Sequence, residues 1–564
     1  MKLYVDGKEG FAKAGQSLRQ IIAEMGLDSD RFSQRPIAAK ISGEVFNLDY
    51  VPVREKDVTE RASIRRAMAA SGGVIELLRY TDPVGQEVYE RTARFVVFLA
   101  LQRLWPDARA KMGTTLGSAL YVSVDCEEFS WMRLRKEVAV LVDQDIPLTR
   151  HQMSTVDAVK LFTEKGKTDK ARLLSLRKED TFGCYGYEDF LDYYYGEMAP
   201  STGYVQVWDI LPAAGGFLFI YPDDTCPDQV AEYKAMPRVF DVCMEGDRWC
   251  ELMECETVAD LNDLTENGKI RELIRVNEAL HEKRYAQVAD MVCQRGARAV
   301  MLAGPSSSGK TTSANRLATQ LRVHGKKPVL MGLDDYYIDR DLIEPGPDGT
   351  IDFEHINTID TDLFRQNLQD LLAGKEIEIP TFDFKTGHRV WKGHKFRMEK
   401  DTVIIVEGLH ALNPVLIPPQ LDKNSIFKFY ICPLIPLSLD DHNRIPASNL
   451  RLLRRIVRDF ATRGATVERT LSMWDSVRRG EKRWIFPFRE QADVIFNTST
   501  LYELAVMKKH IFPLLTAVQP EESCYEQIRG LVKILNYIQE ADVDDEIPPT
   551  SLLREFIGGN TFYK

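Results

Sequence analysis

Hydrophobic and polar positions change period several times along the chain, and each change marks a different kind of element. Near the start, the alternation in KLYVDG predicts a strand. Leu18, Ile21, Ile22 and Met25 then recur at helical spacing, and PIAAKISGEVFNL returns to strand-like runs. Together these predict a small α+β module over 1–80. Further on, Ile270, Leu273, Ile274, Val276, Leu280 and Val288 stand among charges and predict one long amphipathic helix over 270–295. From 297 to about 515 short apolar runs alternate with helical patterns: AVMLAG, PVLMG, TVIIVEG, FKFYI and DVIFNTS. That rhythm predicts a parallel α/β sheet of the three-layer nucleotide-kinase type.

A length of 564 residues exceeds one hydrophobic core and predicts about three to five domains. The pattern divides it into 1–80, 81–224, a helical connector at 225–295, an α/β domain at 296–518 and a tail at 519–564. The tail's acidic stretch ADVDDEIPP reads as flexible. A formal net charge of -11 argues against a broadly nucleic-acid-binding surface, so any RNA contact must be local to the front half. Nine scattered cysteines without a CxxC pair suit reduced thiols, and the start MKLYVDGKEG lacks the apolar core of a signal peptide. The apolar run Phe95 to Leu101 falls well short of the roughly 20 residues that cross a bilayer. A cytoplasmic protein without a membrane partner is expected.

The sharpest chemical signal follows the run Ala299 to Ala303. Gly304, Pro305, Ser306, Ser307, Ser308, Gly309, Lys310, Thr311 and Thr312 fit the phosphate-binding loop pattern. Glycines let main-chain N–H groups close round phosphate oxygens, Lys310 reaches the β and γ oxygens, and the Thr311 hydroxyl suits Mg²⁺. Ser313 to Val323, with Ala314, Leu317, Ala318 and Leu321 on one side, predicts the helix whose positive end faces the phosphates. ATP or GTP, with Mg²⁺, is the expected cofactor set.

Phosphoryl transfer also needs a positioned hydroxyl, a base and cations that follow the charge. Asp334 and Asp335 come after the second strand, at the carboxyl end where such sheets hold ligands. A carboxylate there either accepts the proton of an attacking hydroxyl or caps a turn, and Asp335 is the better candidate for capping. Glu407 ends the strand TVIIVE, where it either reaches Mg²⁺ or is a buried structural acid. Arg451, Arg454, Arg455, Arg458 and Arg463 lie on one helix and its exit, and either close over the phosphates or form a solvated face.

Several stretches resemble known families. Ala38 to Glu44 with Leu48 resembles the TGS module at the front of threonyl-tRNA synthetase. Ile75 to Ala108 and Pro200-Ser201-Thr202-Gly203 resemble that synthetase's editing domain, over about Asp82 to Asp224. The editing residues are replaced by Glu90, Arg94, Tyr194 and Met198, so the resemblance implies a binding or regulatory scaffold without hydrolysis; Glu90 and Arg94 read as a surface ion pair.

GPSSSGKTT, Asp334 to Tyr337, Phe353 to His355, Ile379 to Arg389, Val406 to Leu412 and Arg454 to Gly464 resemble the uridine kinase and phosphoribulokinase family, over roughly Arg298 to Leu515. That resemblance implies Asp334 as the base at a nucleoside 5′-hydroxyl, with Tyr337 in the acceptor pocket. It implies Lys310, Thr311 and Glu407 around the Mg-nucleotide, and Arg455, Arg458 and Arg463 as a lid. Glu354 stands where the family binds ribose. Phe382 and Gly387 stand at the base-binding positions, with His388 adjacent. Ala465 and Met473 replace two further polar residues, and DDHNRIPASN has no counterpart. The family likeness also implies a homo-oligomer. Three readings remain: a nucleoside kinase acting on uridine or a relative, a sugar-phosphate kinase using Arg389, Lys392 and Lys395, and a nucleotide-gated regulator or RNA-associated protein.

Overall fold

The computed structural model describes residues 2–52, 73–177, 179–344, 352–519, 521–522 and 524–562. It divides into two compact units. One comprises Met1–Ala235 with Leu439–Arg444, and the other Met236–Ser438 with Ile445–Lys564.

The first unit begins with a five-stranded mixed sheet. Val74–Leu78 lies at its middle, parallel to Lys2–Val5 and antiparallel to Ala38–Ile41; Lys8–Phe11 and Glu44–Phe46 form its edges. Helix Leu18–Glu24 buries Leu18, Ile21 and Ile22, three of the four apolar residues read from the sequence, and Ser17 and Gln20 close its start as a capping box. A single core continues from this module into helix Pro83–Leu104, where Phe32, Tyr80 and Tyr89 pack edge to face. That helix carries the run Phe95 to Leu101, all of it buried, and the antiparallel sheet of Arg109–Leu116, Ala119–Asp125, Asp209–Ala213 and Gly216–Ile220 belongs to the same core. Among the described residues no helix is long and apolar enough to cross a membrane.

The segment Leu439–Arg444, at the start of the stretch without a counterpart, has a definite place in this unit. Lys170 is buried with its Nζ 2.8 Å from Asp192 Oδ1 and 2.9 Å from Asp440 Oδ1. His442 approaches Asp192 Oδ2 through Nδ1 at 2.5 Å and stacks on Phe98 at 3.7 Å. The two carboxylates hold Lys170 charged despite burial, which otherwise disfavours an ammonium ion. At the editing-like positions, Glu90 and Arg94 form no surface ion pair. Arg94 Nε donates to the Glu90 main-chain oxygen at 3.1 Å, both side chains are half-buried, and the guanidinium lies 5.5 Å from the Tyr194 ring centre. The Tyr194 hydroxyl donates to Asp192, and Met198 is fully buried.

The second unit holds five parallel strands in the order Lys327–Gly332, Thr402–Glu407, Ala299–Ala303, Ile426–Cys432 and Val494–Asn497. Ala299–Ala303 is buried at every position, as expected of a central strand covered on both faces. Helix Ile270–Arg295 forms as the apolar spacing predicts and ends at Gly296 with φ 70°. The tail, expected to be flexible, is instead packed. Helix Tyr525–Asn536 is followed by buried Ala541, Val543 and Ile547, while Asp545 and Glu546 pair with Arg271 at 2.9 Å and Arg275 at 2.6 Å. The acidic composition that suggested flexibility serves two arginines of the long helix.

Candidate nucleotide and acceptor site

Register brings the chemistry together. Glu407 pairs with Leu302 on one side and Gly332 on the other, so three strands end side by side. The phosphate loop leaves the central strand there, Glu407 ends the strand beside it, and Asp334 follows the strand beyond that. This is the carboxyl edge where open α/β sheets bind ligands.

The loop's backbone needs its glycines. Gly309 has φ 86°, and a Cβ on Gly304 would come within 2.4 Å of the Ile431 main-chain oxygen. Helix Lys310–Val323 starts three residues earlier than the apolar spacing indicated, so Lys310, Thr311 and Thr312 form its first turn. The N–H groups of that turn lack helical partners and suit an anion. Ser307 and Ser308 are buried, and their hydroxyls have no hydrogen-bond partner among the described residues. Lys310 Nζ rests on the Pro305 main-chain oxygen at 3.3 Å.

The Thr311 hydroxyl lies 3.1 Å from Glu407 Oε1, while Glu407 Oε2 is buried without a hydrogen-bond partner. A hydroxyl beside an unsatisfied carboxylate oxygen is a donor set that fits Mg²⁺. Burial pushes the Glu407 carboxyl up to about 7; Lys310 pulls it down, and Asp334 and Glu555 push it further up. Asp334 is exposed at the sheet edge. The surrounding protein raises its carboxyl, Lys310 and Arg463 oppose this, and Asp335 adds to it. Asp335 caps no turn: it accepts the Phe382 N–H at 3.3 Å and so ties down strand Thr381–Asp383.

The arginine row divides into two sets. Arg451 grips Glu481 with both terminal nitrogens, and Arg454 holds Glu503 at 2.7 Å; all four residues are buried. Arg455, Arg458 and Arg463 instead gather on buried Asp459, at 3.3, 2.8 and 3.3 Å. Arg455 also donates to the Ser306 hydroxyl at 3.0 Å. This second set is the one the family resemblance implied as the lid.

On the acceptor side, Tyr337 packs against Phe382 at 5.5 Å and Phe384 at 6.3 Å, giving an aromatic cluster. Burial pushes the Glu354 carboxyl up to about 7, and the Glu481 charge adds to this; Arg455 and Lys310 work against it. Its Cβ sits where a side chain on Gly480 would clash, 2.4 Å from a Cβ built there. His388 does not join the cluster. It pairs across the hairpin with Asp383, which places it on the face opposite Phe382, and its Nδ1 lies 3.5 Å from Asp339.

Two residues that sequence patterns did not single out also touch the loop. Glu481 Oε1 accepts the Ser306 N–H at 2.9 Å, and Glu555 Oε2 accepts the Thr312 N–H at 3.2 Å and its hydroxyl at 2.7 Å.

Comparison with known proteins agrees with this architecture. Residues 299–434 and 443–504 match the model of the Phosphoribulokinase / Uridine kinase family. The uridine kinase of Macrococcus caseolyticus is 33% identical over 195 residues, covering 34% of this chain and 84% of that protein. The uridine kinase of Staphylococcus epidermidis is 32% identical over 206 residues, covering 36% and 89%. The front part is similar to the threonine–tRNA ligase of Desulforamulus reducens, 26% identical over 194 residues, 34% of this chain and 28% of that enzyme. On its loop, strand order and these matches, the chain belongs to the phosphoribulokinase/uridine kinase family.

Proposed function

We propose that this chain is an ATP-dependent nucleoside kinase that phosphorylates the 5′-hydroxyl of uridine or a related nucleoside. The observation that carries this reading is the grouping of Asp334, Lys310 and Glu407 at one sheet edge, next to the Tyr337, Phe382 and Phe384 cluster. In the reaction the acceptor hydroxyl attacks the γ-phosphorus, the bond to the ADP oxygen breaks, and the hydroxyl proton passes to the Asp334 carboxylate and on to solvent. Lys310 neutralises charge on the β and γ oxygens. Thr311 and Glu407 would hold Mg²⁺, which draws electron density from the phosphates when bound. Arg455, Arg458 and Arg463 would turn spare donors from Asp459 to the transferring group, and their closure excludes water that competes as acceptor.

An aromatic cluster suits a base, because every nucleobase offers a face for stacking. The sugar-phosphate reading fares worse. Of the three basic residues it calls on, Arg389 is held by Asp360 at 2.7 Å and Lys395 by Glu376 at 3.5 Å.

The test is ATP consumption with a panel of nucleosides and sugar phosphates, run on the wild-type chain and on Asp334→Asn. Turnover on a nucleoside that is lost in the variant is expected. Turnover on a sugar phosphate alone would overturn the proposal, and so would ATP hydrolysis that no acceptor stimulates.

A further inference from the structure

The C-terminal segment reaches the phosphate loop. Ser551, Leu552, Leu553 and Phe556 are buried; the Ser551 hydroxyl donates to Glu278 at 2.6 Å, and Arg454 lies over the Phe556 ring at 5.0 Å. Leu552 is so close to Gly309 that a Cβ built on that glycine would come within 2.6 Å of its side chain. These contacts fix the short helix Arg554–Ile557, and with it Glu555, beside the first turn of helix Lys310–Val323.

Glu555 meets two donors there. Thr312 is the third residue of the helix, so its N–H has no carbonyl to bond within the helix, and its hydroxyl lies alongside. Such donors ordinarily meet phosphate oxygens in a loop of this pattern. In this chain the Glu555 carboxylate takes both, at 3.2 and 2.7 Å, and Asn560 Nδ2 adds a contact to the same hydroxyl at 3.4 Å. An anion therefore already sits at one end of the phosphate cradle. A phosphate brought to the same donors would meet a like charge a few ångströms away, a repulsion that is stronger in a partly buried site than in open water.

We propose that Glu555 is an affinity-setting residue of the nucleotide site: its carboxylate stands in for a nucleotide phosphate on Thr312 and must yield those donors before the phosphate chain can seat. Nucleotide affinity is then the loop's intrinsic affinity reduced by the cost of exchanging one anion for another. The carboxylate also serves the ligand-free chain, because it accepts from the Thr312 N–H and hydroxyl at the start of the helix. This inference rests on nucleotide binding by the loop and is independent of which acceptor the enzyme uses.

The consequence is measured by calorimetric binding of ATP, ADP and inorganic triphosphate to the full-length wild-type chain and to Glu555→Gln. Glutamine keeps an acceptor oxygen for Thr312 and removes the charge. Since hydrogen bonds to a charged acceptor are roughly twice as strong as neutral ones, all three ligands should bind about 5- to 30-fold tighter to the variant, by a common factor. Unchanged affinity for all three overturns the proposal. So does weaker binding of ATP and ADP with triphosphate unaffected, because the carboxylate would then be recognising the sugar or base. A wild-type chain that binds none of the three removes the nucleotide site itself, a failure distinct from an unchanged affinity. A second measurement needs no variant: on adding triphosphate to the wild-type chain, amides of residues 551–557 should exchange with solvent faster, and slower exchange would overturn the displacement.

Discussion

The main-chain nitrogen of Ser306 donates to Glu481 Oε1 across 2.9 Å, so a carboxylate from helix Val467–Trp484 holds a peptide of the phosphate loop itself. Arg451 completes the bracket, gripping Glu481 and donating to the Ser306 main-chain oxygen at 3.3 Å. The loop is therefore pinned from outside, and its shape depends on a buried ion pair. Removing one partner of such a pair leaves an uncompensated charge and costs about 3–5 kcal/mol. Glu481→Ala should lower the unfolding free energy by that order in urea titration, whereas Glu481→Gln, which still accepts the Ser306 N–H, should lose less and show a raised KM for ATP.

Asp334→Asn should leave nucleotide binding nearly intact, because among the described residues no hydrogen bond ties this carboxylate to the loop and its proposed role is at the acceptor hydroxyl. Loss of a positioned base costs about 10²- to 10⁴-fold in kcat. Steady-state rates, paired with calorimetric ATP affinity, separate this from a folding defect. A parallel loss in both would assign Asp334 to nucleotide binding instead.

How much of this was legible in the sequence follows from where each residue gets its partner. Lys310 follows an apolar strand through the phosphate loop, Asp334 comes two residues after another and Glu407 ends a third, so local patterns place them at one edge. Glu481 and Glu555 meet the loop across 175 and 243 residues, from inside EKR and REF runs that look like any charged helix. The arginine row shows the same limit. Helical spacing puts Arg451, Arg454, Arg455 and Arg458 near one another and gives the last two Asp459 on the same helix, but only the fold supplies Glu481 and Glu503 to the first two, from 30 and 49 residues away. The segment at 439–444 lacked any family counterpart because its partners, Lys170 and Asp192, lie in the front half of the chain.

Lys170 makes that relationship testable. It stands between Asp192 and Asp440 with all three buried, and methionine of similar length would leave two carboxylates without their cation. Lys170→Met should destabilise the first unit by about 3–5 kcal/mol, because the remaining charges have lost their partner. Hydrogen exchange should show faster opening of helix Thr168–Ser175 and of the region around Asp192, with residues 299–332 unaffected.

Glu354 gives a pH dependence with a definite sign. Its folded value of about 7 lies above the ordinary glutamate value of 4.5, chiefly through burial and next through Glu481. The folded state therefore binds the proton more tightly than the unfolded state does. The stabilising contribution is fully present below about 4.5 and disappears as pH rises through about 7. Glu354→Gln cannot titrate, so its stability relative to wild type should improve between pH 5 and pH 8. Urea unfolding of both chains at the two values checks this, and a difference that is constant with pH would show that Glu354 titrates as an ordinary surface acid.

The aromatic cluster makes the last prediction, and it separates a base-binding pocket from a structural one. Phe382 is buried with its ring 5.5 Å from Tyr337 and 5.2 Å from Phe384, so truncating it removes part of a wall as well as a stacking face. Stacking of a base on an aromatic side chain is worth about 1–3 kcal/mol, which corresponds to roughly 5- to 150-fold in affinity. Phe382→Leu keeps most of the apolar volume while discarding the ring face. If the cluster receives a nucleobase, this variant should raise the KM for the nucleoside within that range and leave the KM for ATP and the thermal midpoint close to wild type. If the cluster is only a core, the midpoint should fall and the nucleoside KM should stay where it was. The two outcomes move different observables, so one variant measured both ways distinguishes a pocket for a base from packing beneath a loop.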